Sequence, residues 1–325
     1  MSQGFLNNTQ DSSPAQKNQI LRDRAAMLAS ARQFFMERAV CEVDCPILSN
    51  YAAVDTHIDL IKTSASSGGR YLHSSPEYGM KRLLANGIGD IYQLAHVFRE
   101  GECGVKHNPE FMMAEWYRTL SFPEMIAETI DFIRLFLGDL PYSTITYRQA
   151  FQQFAGFDYL TITIEELVHF LQINEIAAYE DIAIEGKEAL LNLILGTVIE
   201  PKLGQDELCV LAYYPASQAS LAQTQRHGDE EVGERFEVYY RGMELANGYH
   251  ELADPIEQRR RFEEANVQRK QLGKDTLPID EHFLAALTKG LPDCCGVAVG
   301  FDRLMMLKHR AKHIADVIPF IWDIA

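Results

Sequence analysis

IYQLAHVFREGECGVKHNPEFMMAEWY, residues 91–117, is the stretch on which the fold reading turns. Ile91–Phe98 and Glu110–Tyr117 are rich in apolar and aromatic residues, and the polar segment between them holds Gly101, Gly104, Asn108 and Pro109. Apolar runs separated by Gly, Asn and Pro read as two antiparallel strands and a connection. Such connections are usually short, and one of about ten residues marks a loop with work of its own. Arg99 closes the first strand, Glu100 and Glu102 follow, His107 precedes the second strand and Phe111 opens it.

Those side chains suit a nucleoside triphosphate. Arginine is a planar, permanently charged donor matched to phosphate oxygens, and an aromatic face stacks on a purine. A surface hairpin with solvated charges has a similar composition, so the order of the residues has to decide. Phe98-Arg99-Glu100, His107, Pro109-Glu110-Phe111 and Glu115 resemble motif 2 of the class II aminoacyl-tRNA synthetases, and HNPEF at 107–111 resembles the lysine enzymes. The resemblance implies an α+β fold, a largely antiparallel sheet flanked by helices. It also implies that Arg99 holds the α-phosphate of ATP and Phe111 stacks adenine, with Glu100, Gly101, Glu102, His107 and Asn108 around the nucleotide.

The bulk numbers agree with such an enzyme. The 325 residues are enough for a sizeable core, and 47% apolar with 23% charged residues is the composition of a soluble globular protein. A formal charge of −16 argues against wrapping a nucleic-acid backbone. Ala189–Ile199, the longest apolar-looking run, is too short to cross a bilayer, and the polar N-terminus lacks a secretory pattern. These features predict a cytoplasmic protein without a membrane partner. Six cysteines without a paired C-x-x-C array predict free thiols rather than disulfides or a zinc site.

Working outward, residues 1–17 read as a disordered tail, and residues 18–325 as the catalytic domain. Met27, Leu28, Ala31, Phe34 and Phe35 mark a helix over about 18–38, with Arg22, Arg24, Arg32 and Glu37 off its apolar stripe. A strand then ends at Pro46; helix, strand and proline resemble motif 1, which in that family builds a homodimer. Strands are expected at His57–Lys62 and Arg70–His73, around a turn at SASSGG. Ser75, Pro76 and Glu77 read as N-cap, first helical position and acidic first turn; SPE also resembles the lysine-type start of the helix under the amino-acid pocket. Residues 122–207 are largely helical in pattern and read as an insertion without chemistry. Leu208–Tyr214 is a buried-type strand leading into PASQASLA, residues 215–222, a loop that the resemblance places at the rim of the active site.

The second informative stretch is RFEVYYRGMELANGYHEL, residues 235–252. Asn247-Gly248 is a strong two-residue turn signal, and a turn there sets Glu244 directly opposite Glu251, roughly 5 Å apart at Cβ. Two carboxylates at that range repel by about 3 kcal/mol at an effective dielectric near 20. A cation or a bound amine would relieve them, and Mg²⁺ shared with substrate phosphates suits oxygen ligands. ELANGYHEL also resembles the lysyl-tRNA synthetase signature, which implies that Glu244 and Leu245 belong to the ATP site. It further implies that Glu244 and Glu251 are metal ligands and that Asn247 and Glu251 bind substrate.

Gly296-Val297-Ala298-Val299-Gly300-Phe301-Asp302-Arg303 reads as a strand entering a helix, with small residues along one face. It resembles motif 3, in which Gly300 belongs to the ATP site and the arginine, here Arg303, holds the γ-phosphate. Ala298 stands where the lysine synthetases have glycine. The extra methyl is worth about 1–3 kcal/mol of discrimination and favours an amine one carbon further along. Only the tail and one helix precede motif 1 in this sequence, so an anticodon-binding domain of the lysyl-tRNA synthetase kind is not expected. Together these departures resemble the elongation factor P lysine ligases, paralogues of lysyl-tRNA synthetase. That resemblance implies an ATP-dependent ligase for (R)-β-lysine acting on a lysine of elongation factor P, with Ser75, Pro76, Glu77, Tyr117 and Ala298 shaping the amino-acid pocket and no contact to a tRNA anticodon. A tRNA-charging enzyme and a non-catalytic amino-acid-binding paralogue remain the alternatives. Labelled tRNA would identify the first, and absence of pyrophosphate exchange the second.

Overall fold

The computed structural model describes residues 13–51, 53–64, 70–179 and 182–325. In chain order its elements begin with α1 (Pro14–Met36), β1 (Cys41–Glu42), β2 (Leu48–Ser49), β3 (Lys62–Thr63), β4 (Arg70–Leu72), α2 (Glu77–Ala85), β5 (Ile91–Phe98), β6 (Glu110–Arg118) and α3 (Phe122–Leu137). Next come β7 (Tyr142–Thr146), α4 (Tyr147–Phe154), α5 (Ile164–Ile173), α6 (Lys187–Ile194), β8 (Leu208–Pro215), β9 (Thr224–His227), β10 (Glu230–Tyr240) and β11 (Met243–His250). The chain closes with α7 (Pro255–Gln271), α8 (Glu281–Gly290), β12 (Cys295–Gly300) and α9 (Phe301–His309). The described residues gather into two compact units. One takes the described residues within 13–121, 131–138 and 253–325, the other those within 122–130 and 139–252.

In the first unit β5 and β6 form the expected antiparallel pair, with Phe98 opposite Glu110 and Ile91 opposite Tyr117. β12 pairs antiparallel with β6, and β1 parallel with β5. Alternation along these strands divides the two faces. Tyr92 and Trp116 point to one side, where Phe35 stacks on Tyr92 at 4.1 Å and Phe132 lies 5.1 Å from Trp116. That face is the apolar core, closed by α1 and the C-terminal half of α3. Gln93, Glu115 and Ala298 form a row across the other face. A small sheet, β2-β4-β3, completes the unit.

In the second unit β10 pairs antiparallel with β8, β9 and β11, and β8 pairs parallel with β7. Helices α4, α5 and α6 pack with Tyr214 and Tyr239 in a core that includes Tyr147, Phe151, Leu167, Leu190, Leu191 and Ile194. Phe122, at the start of α3, lies 5.6 Å from Phe236.

Several expectations need correction. Helix α1 begins at Pro14, capped by Ser13 Oγ, so residues 14–17 of the expected tail are helical, while residues 1–12 lie outside the described residues. Arg24 is buried on α1 because Asp302 supplies an ion-pair partner; a paired charge tolerates an interior that a lone one does not. The strand expected at His57–Lys62 is reduced to Lys62–Thr63, and most of the SASSGG turn lies outside the described residues. Within the expected helical stretch, Tyr142–Thr146 is a strand on β8. Its alternating Tyr-Ser-Thr-Ile-Thr composition carried that signal.

Candidate active site

Helix α2 begins at Glu77, with Pro76 at the N-cap position and Ser75 Oγ accepting the Glu77 N–H at 3.0 Å. The same hydroxyl donates to the Glu115 carboxylate, 2.8 Å from Oε2, and Tyr117 donates to Oε1 at 2.7 Å. Glu77 is buried beside Lys81, whose Nζ donates to its Oε1 at 2.5 Å. Two acids thus share a pocket with one buried lysine, and Lys81 sits on Glu77. Burial, followed by the charge of Glu77, pushes the Glu115 pKa up to about 7, against the hydrogen bonds from Tyr117 and Ser75. Ala298 is the direct register partner of Glu115, so the methyl group singled out in the sequence stands beside this acid. Ser75, Glu77, Tyr117 and Ala298 therefore come together, and Glu115, noted in the sequence only as a motif position, is at their centre.

The loop after β5 gathers a second group. Arg99 lies 3.5 Å from Glu102 and 5.1 Å from the Phe111 ring, and its Nε is buried without an acceptor among the described residues. Arg303, in the first turn of α9, donates to His107 Nε2 at 2.9 Å. Burial, then the Arg303 charge, lowers the His107 pKa, which keeps the imidazole an acceptor. Glu100 is fixed by its backbone N–H to Asp59 O at 2.8 Å, and Gly101 takes φ +76°, a turn conformation that glycine adopts without strain. Asn108 differs from expectation. Its Nδ2 donates to Glu110 O and its Oδ1 accepts from Trp322 N, so the amide braces the loop against the C-terminus. Gly300 stands at the N-cap of α9, where a Cβ would meet the Arg303 side chain at 3.5 Å.

Asp302 supports both halves of this group. One carboxylate oxygen pairs with Arg24 and the other accepts the Met112 N–H at 2.8 Å. It thereby ties α1, the start of α9 and the strand that follows Phe111. A buried aspartate preceding the motif arginine was visible in the sequence; its partner, 278 positions away, was not.

The second unit overturns the hairpin reading. The β10–β11 turn is Arg241-Gly242, with φ +51° and +66°, and not Asn247-Gly248, which lies inside β11 opposite Glu237 and Phe236. Glu244 consequently faces Tyr239, and Glu251 lies beyond β11, bridged to Ala222. The register is held by what it buries: Phe236, Val238, Leu245 and Ala246 all go inside, and a turn at Asn247-Gly248 would dismantle these pairings. That outweighs a local turn preference. Leu245 is the extra residue where the register shifts; a bulge of this kind restores Glu244 to the face carrying Glu237 and Asn247.

Glu237 is the residue the sequence reading missed. Tyr214 Oη and Tyr239 Oη each donate to Oε2 at 2.5 Å, Arg235 donates to Oε1 at 2.5 Å, and Asn247 Nδ2 lies 3.2 Å from Oε1. Glu237 and Glu244 both bear on Tyr214 and Tyr239, whose pKa values are raised by burial first and then by the Glu237 charge. Glu237 thus shares the hairpin face with Glu244, held by Tyr214, Tyr239, Arg235 and Asn247, and the expected direct opposition of Glu244 and Glu251 across a turn does not occur. Arg241-Gly242 in the sequence held a weaker clue: glycine supplies the second positive φ of such a turn, while arginine at the first is not a preferred residue.

The model for class II tRNA synthetases (D, K and N) matches residues 7–322. A protein named elongation factor P–(R)-β-lysine ligase from Haemophilus influenzae (strain PittGG) is 42% identical over 93% of this chain and 95% of its own. The protein of that name from Salmonella gallinarum (strain 287/91 / NCTC 13346) is 44% identical over 93% and 95%. The one from Pseudoalteromonas translucida (strain TAC 125) is 43% identical over 92% and 94%. With two phosphate-type arginines on the motif 2 loop and the motif 3 helix, an acid pocket on the adjoining strands and this match over nearly its whole length, the chain belongs to the class II tRNA synthetase family of the aspartate, lysine and asparagine type.

Proposed function

We propose that this chain activates (R)-β-lysine with ATP and transfers it to a lysine side chain of elongation factor P. The observation that carries the reading is the pairing of Ala298 with Glu115: a methyl group narrows the pocket beside the acid that is left to receive an amine, since Lys81 already neutralises Glu77. The relatives bearing that ligase name support it.

In the first step a carboxylate oxygen of the amino acid attacks the α-phosphorus of ATP and pyrophosphate leaves. In the second, the ε-amine of the acceptor lysine attacks the acyl carbon of the adenylate, loses its proton, and AMP leaves. No covalent enzyme intermediate is required, so rate comes from positioning and charge stabilisation. Arg99 takes the α-phosphate, its buried Nε being a donor without an acceptor among the described residues, and Arg303 takes the γ-phosphate. Phe111 stacks the adenine. Gly101 and Gly300 let the backbone near the nucleotide, with Glu100, Glu102 and His107 around it.

Ser75, Glu77, Glu115, Tyr117 and Ala298 form the amino-acid pocket of the first unit; Asn247 and Glu251, in the second, are substrate-binding by the family resemblance. Mg²⁺, when bound, offsets charge on the phosphate oxygens. As the resemblance implies, Glu244 and Glu251 would hold it, and oxygen-only carboxylate donors fit that ion, which keeps waters and substrate phosphates in its remaining positions; Glu237 is already taken up by Tyr214, Tyr239 and Arg235. The family resemblance supports a homodimer through α1 and β1 and a cytoplasmic location; among the described residues no helix is long and apolar enough to cross a membrane.

The deciding experiment is ATP–pyrophosphate exchange with α-lysine and (R)-β-lysine, followed by mass spectrometry of elongation factor P. Exchange with (R)-β-lysine well above α-lysine, and a mass increase on an acceptor lysine, are expected. Equal or better exchange with α-lysine would overturn the proposal.

A further inference from the structure

The helical segment of the second unit carries no chemistry of its own, yet one of its side chains reaches the loop expected at the active-site rim. Glu188, in the first turn of α6, accepts from Ser217 Oγ at 2.7 Å and from Gln218 Nε2. Gln218 Nε2 also lies 3.4 Å from Tyr147 Oη, which anchors the same loop to α4. The backbone carbonyl of Gln218 in turn accepts from Arg235 Nη1 at 3.0 Å.

Arg235 is half-buried between the Tyr214 and Tyr249 rings, 4.4 and 5.9 Å from their centroids. Its Nη2 donates to Glu237, and Glu237 receives the Asn247 amide. A charged carboxylate offers only acceptors, so Asn247 must turn its NH₂ towards Glu237. Its carbonyl oxygen is left buried with no donor among the described residues. An acceptor held in this way is ready for a ligand N–H.

We infer that Glu188 is a positioning residue: through Ser217 and Gln218 it fixes the 215–222 loop, and through Arg235 and Glu237 it sets the Asn247 carbonyl oxygen that receives an amine of the amino-acid substrate. The inference rests on the proposed function for the identity of that substrate. It gives the helical segment a task, since a contact that displaces α6 alters the amino-acid site through these hydrogen bonds alone.

The test compares the full chain with Glu188→Ala, Glu188→Gln, Gln218→Ala and the Glu188→Ala/Gln218→Ala pair. Glu188 is only half-buried on α6, so these proteins are expected to fold, with Tm close to the parent. Glu188→Ala is expected to raise the KM for (R)-β-lysine in pyrophosphate exchange about tenfold with kcat within about twofold. Glu188→Gln, which keeps an acceptor for Ser217, is expected to recover most of the loss, and the double variant to resemble either single one. Amide hydrogen exchange without substrate is expected to quicken in residues 216–222 and 235–239 of Glu188→Ala. Unchanged KM, additive single losses or unchanged hydrogen exchange would each overturn the inference. Failure of the functional reading shows separately, as absence of amino-acid-dependent exchange in the unsubstituted protein.

Discussion

Burying one carboxylate beside another makes ionisation costly, and Glu115, with its pKa near 7, shows how far this pocket has gone. The folded value lies above the ordinary 4.5, so the folded state holds a proton that the unfolded chain has released. The resulting stability is complete below about 4.5 and is lost as pH rises through 7. Glu115→Gln is therefore expected to shrink the fall in urea midpoint between pH 5 and pH 8. A substrate ammonium needs the anion, so the KM for the amino acid should rise roughly tenfold per pH unit below 7. A flat KM profile from pH 5.5 to 8 would remove Glu115 from the amine site. Ala298→Gly tests the neighbouring position: α-lysine-dependent exchange should gain about tenfold or more, the equivalent of 1–3 kcal/mol. Glu77→Gln should raise the KM for the amino acid more than that for ATP, and the opposite ranking would count against the pocket as assigned.

At the scale of elements, the β10–β11 hairpin and the α1–α9 tie can be tested by stability. Gly242 has φ +66°, and a Cβ there would come within 3.0 Å of Pro201 Cα. Gly242→Ala should cost about 1–3 kcal/mol in urea unfolding; a neutral result would contradict the turn position. The Arg24–Asp302 pair is buried, so removing either member alone leaves an uncompensated charge and should cost about 3–5 kcal/mol. Arg24→Met combined with Asp302→Asn should recover much of that loss, because no lone charge remains. Both elements show why the sequence was read unevenly. The β5–β6 pair was legible from its alternation and its Gly/Pro loop. In 235–252 two dipeptides could make a turn, and burial of Leu245, Ala246 and Val238 chose between them.

For the whole molecule the acidic balance of −16 places a requirement on ATP binding, since a tetra-anionic ligand must enter a negatively charged protein. In the proposed function Arg99, Arg303 and Mg²⁺ meet it. Chelation of divalent cations should abolish pyrophosphate exchange, and excess Mg²⁺ should restore it. With ATP and Mg²⁺ at about a hundred times their Kd the folded state should gain about 2.7 kcal/mol, read as a rise in Tm. An unchanged Tm at such concentrations would contradict a nucleotide site in the native protein. The sequence by itself determined the family, because Arg99, His107, Phe111 and Arg303 lie in short local patterns whose order the chemistry of phosphate binding restricts. It also exposed Ala298 as a departure. Only tertiary structure decided that Lys81 pairs with Glu77, that Glu115 is buried beside them, and that the hairpin turns at Arg241-Gly242, which puts Glu237 on the face of Glu244. Those outcomes depend on register and burial, where the energy comes from contacts between distant residues that no local pattern records.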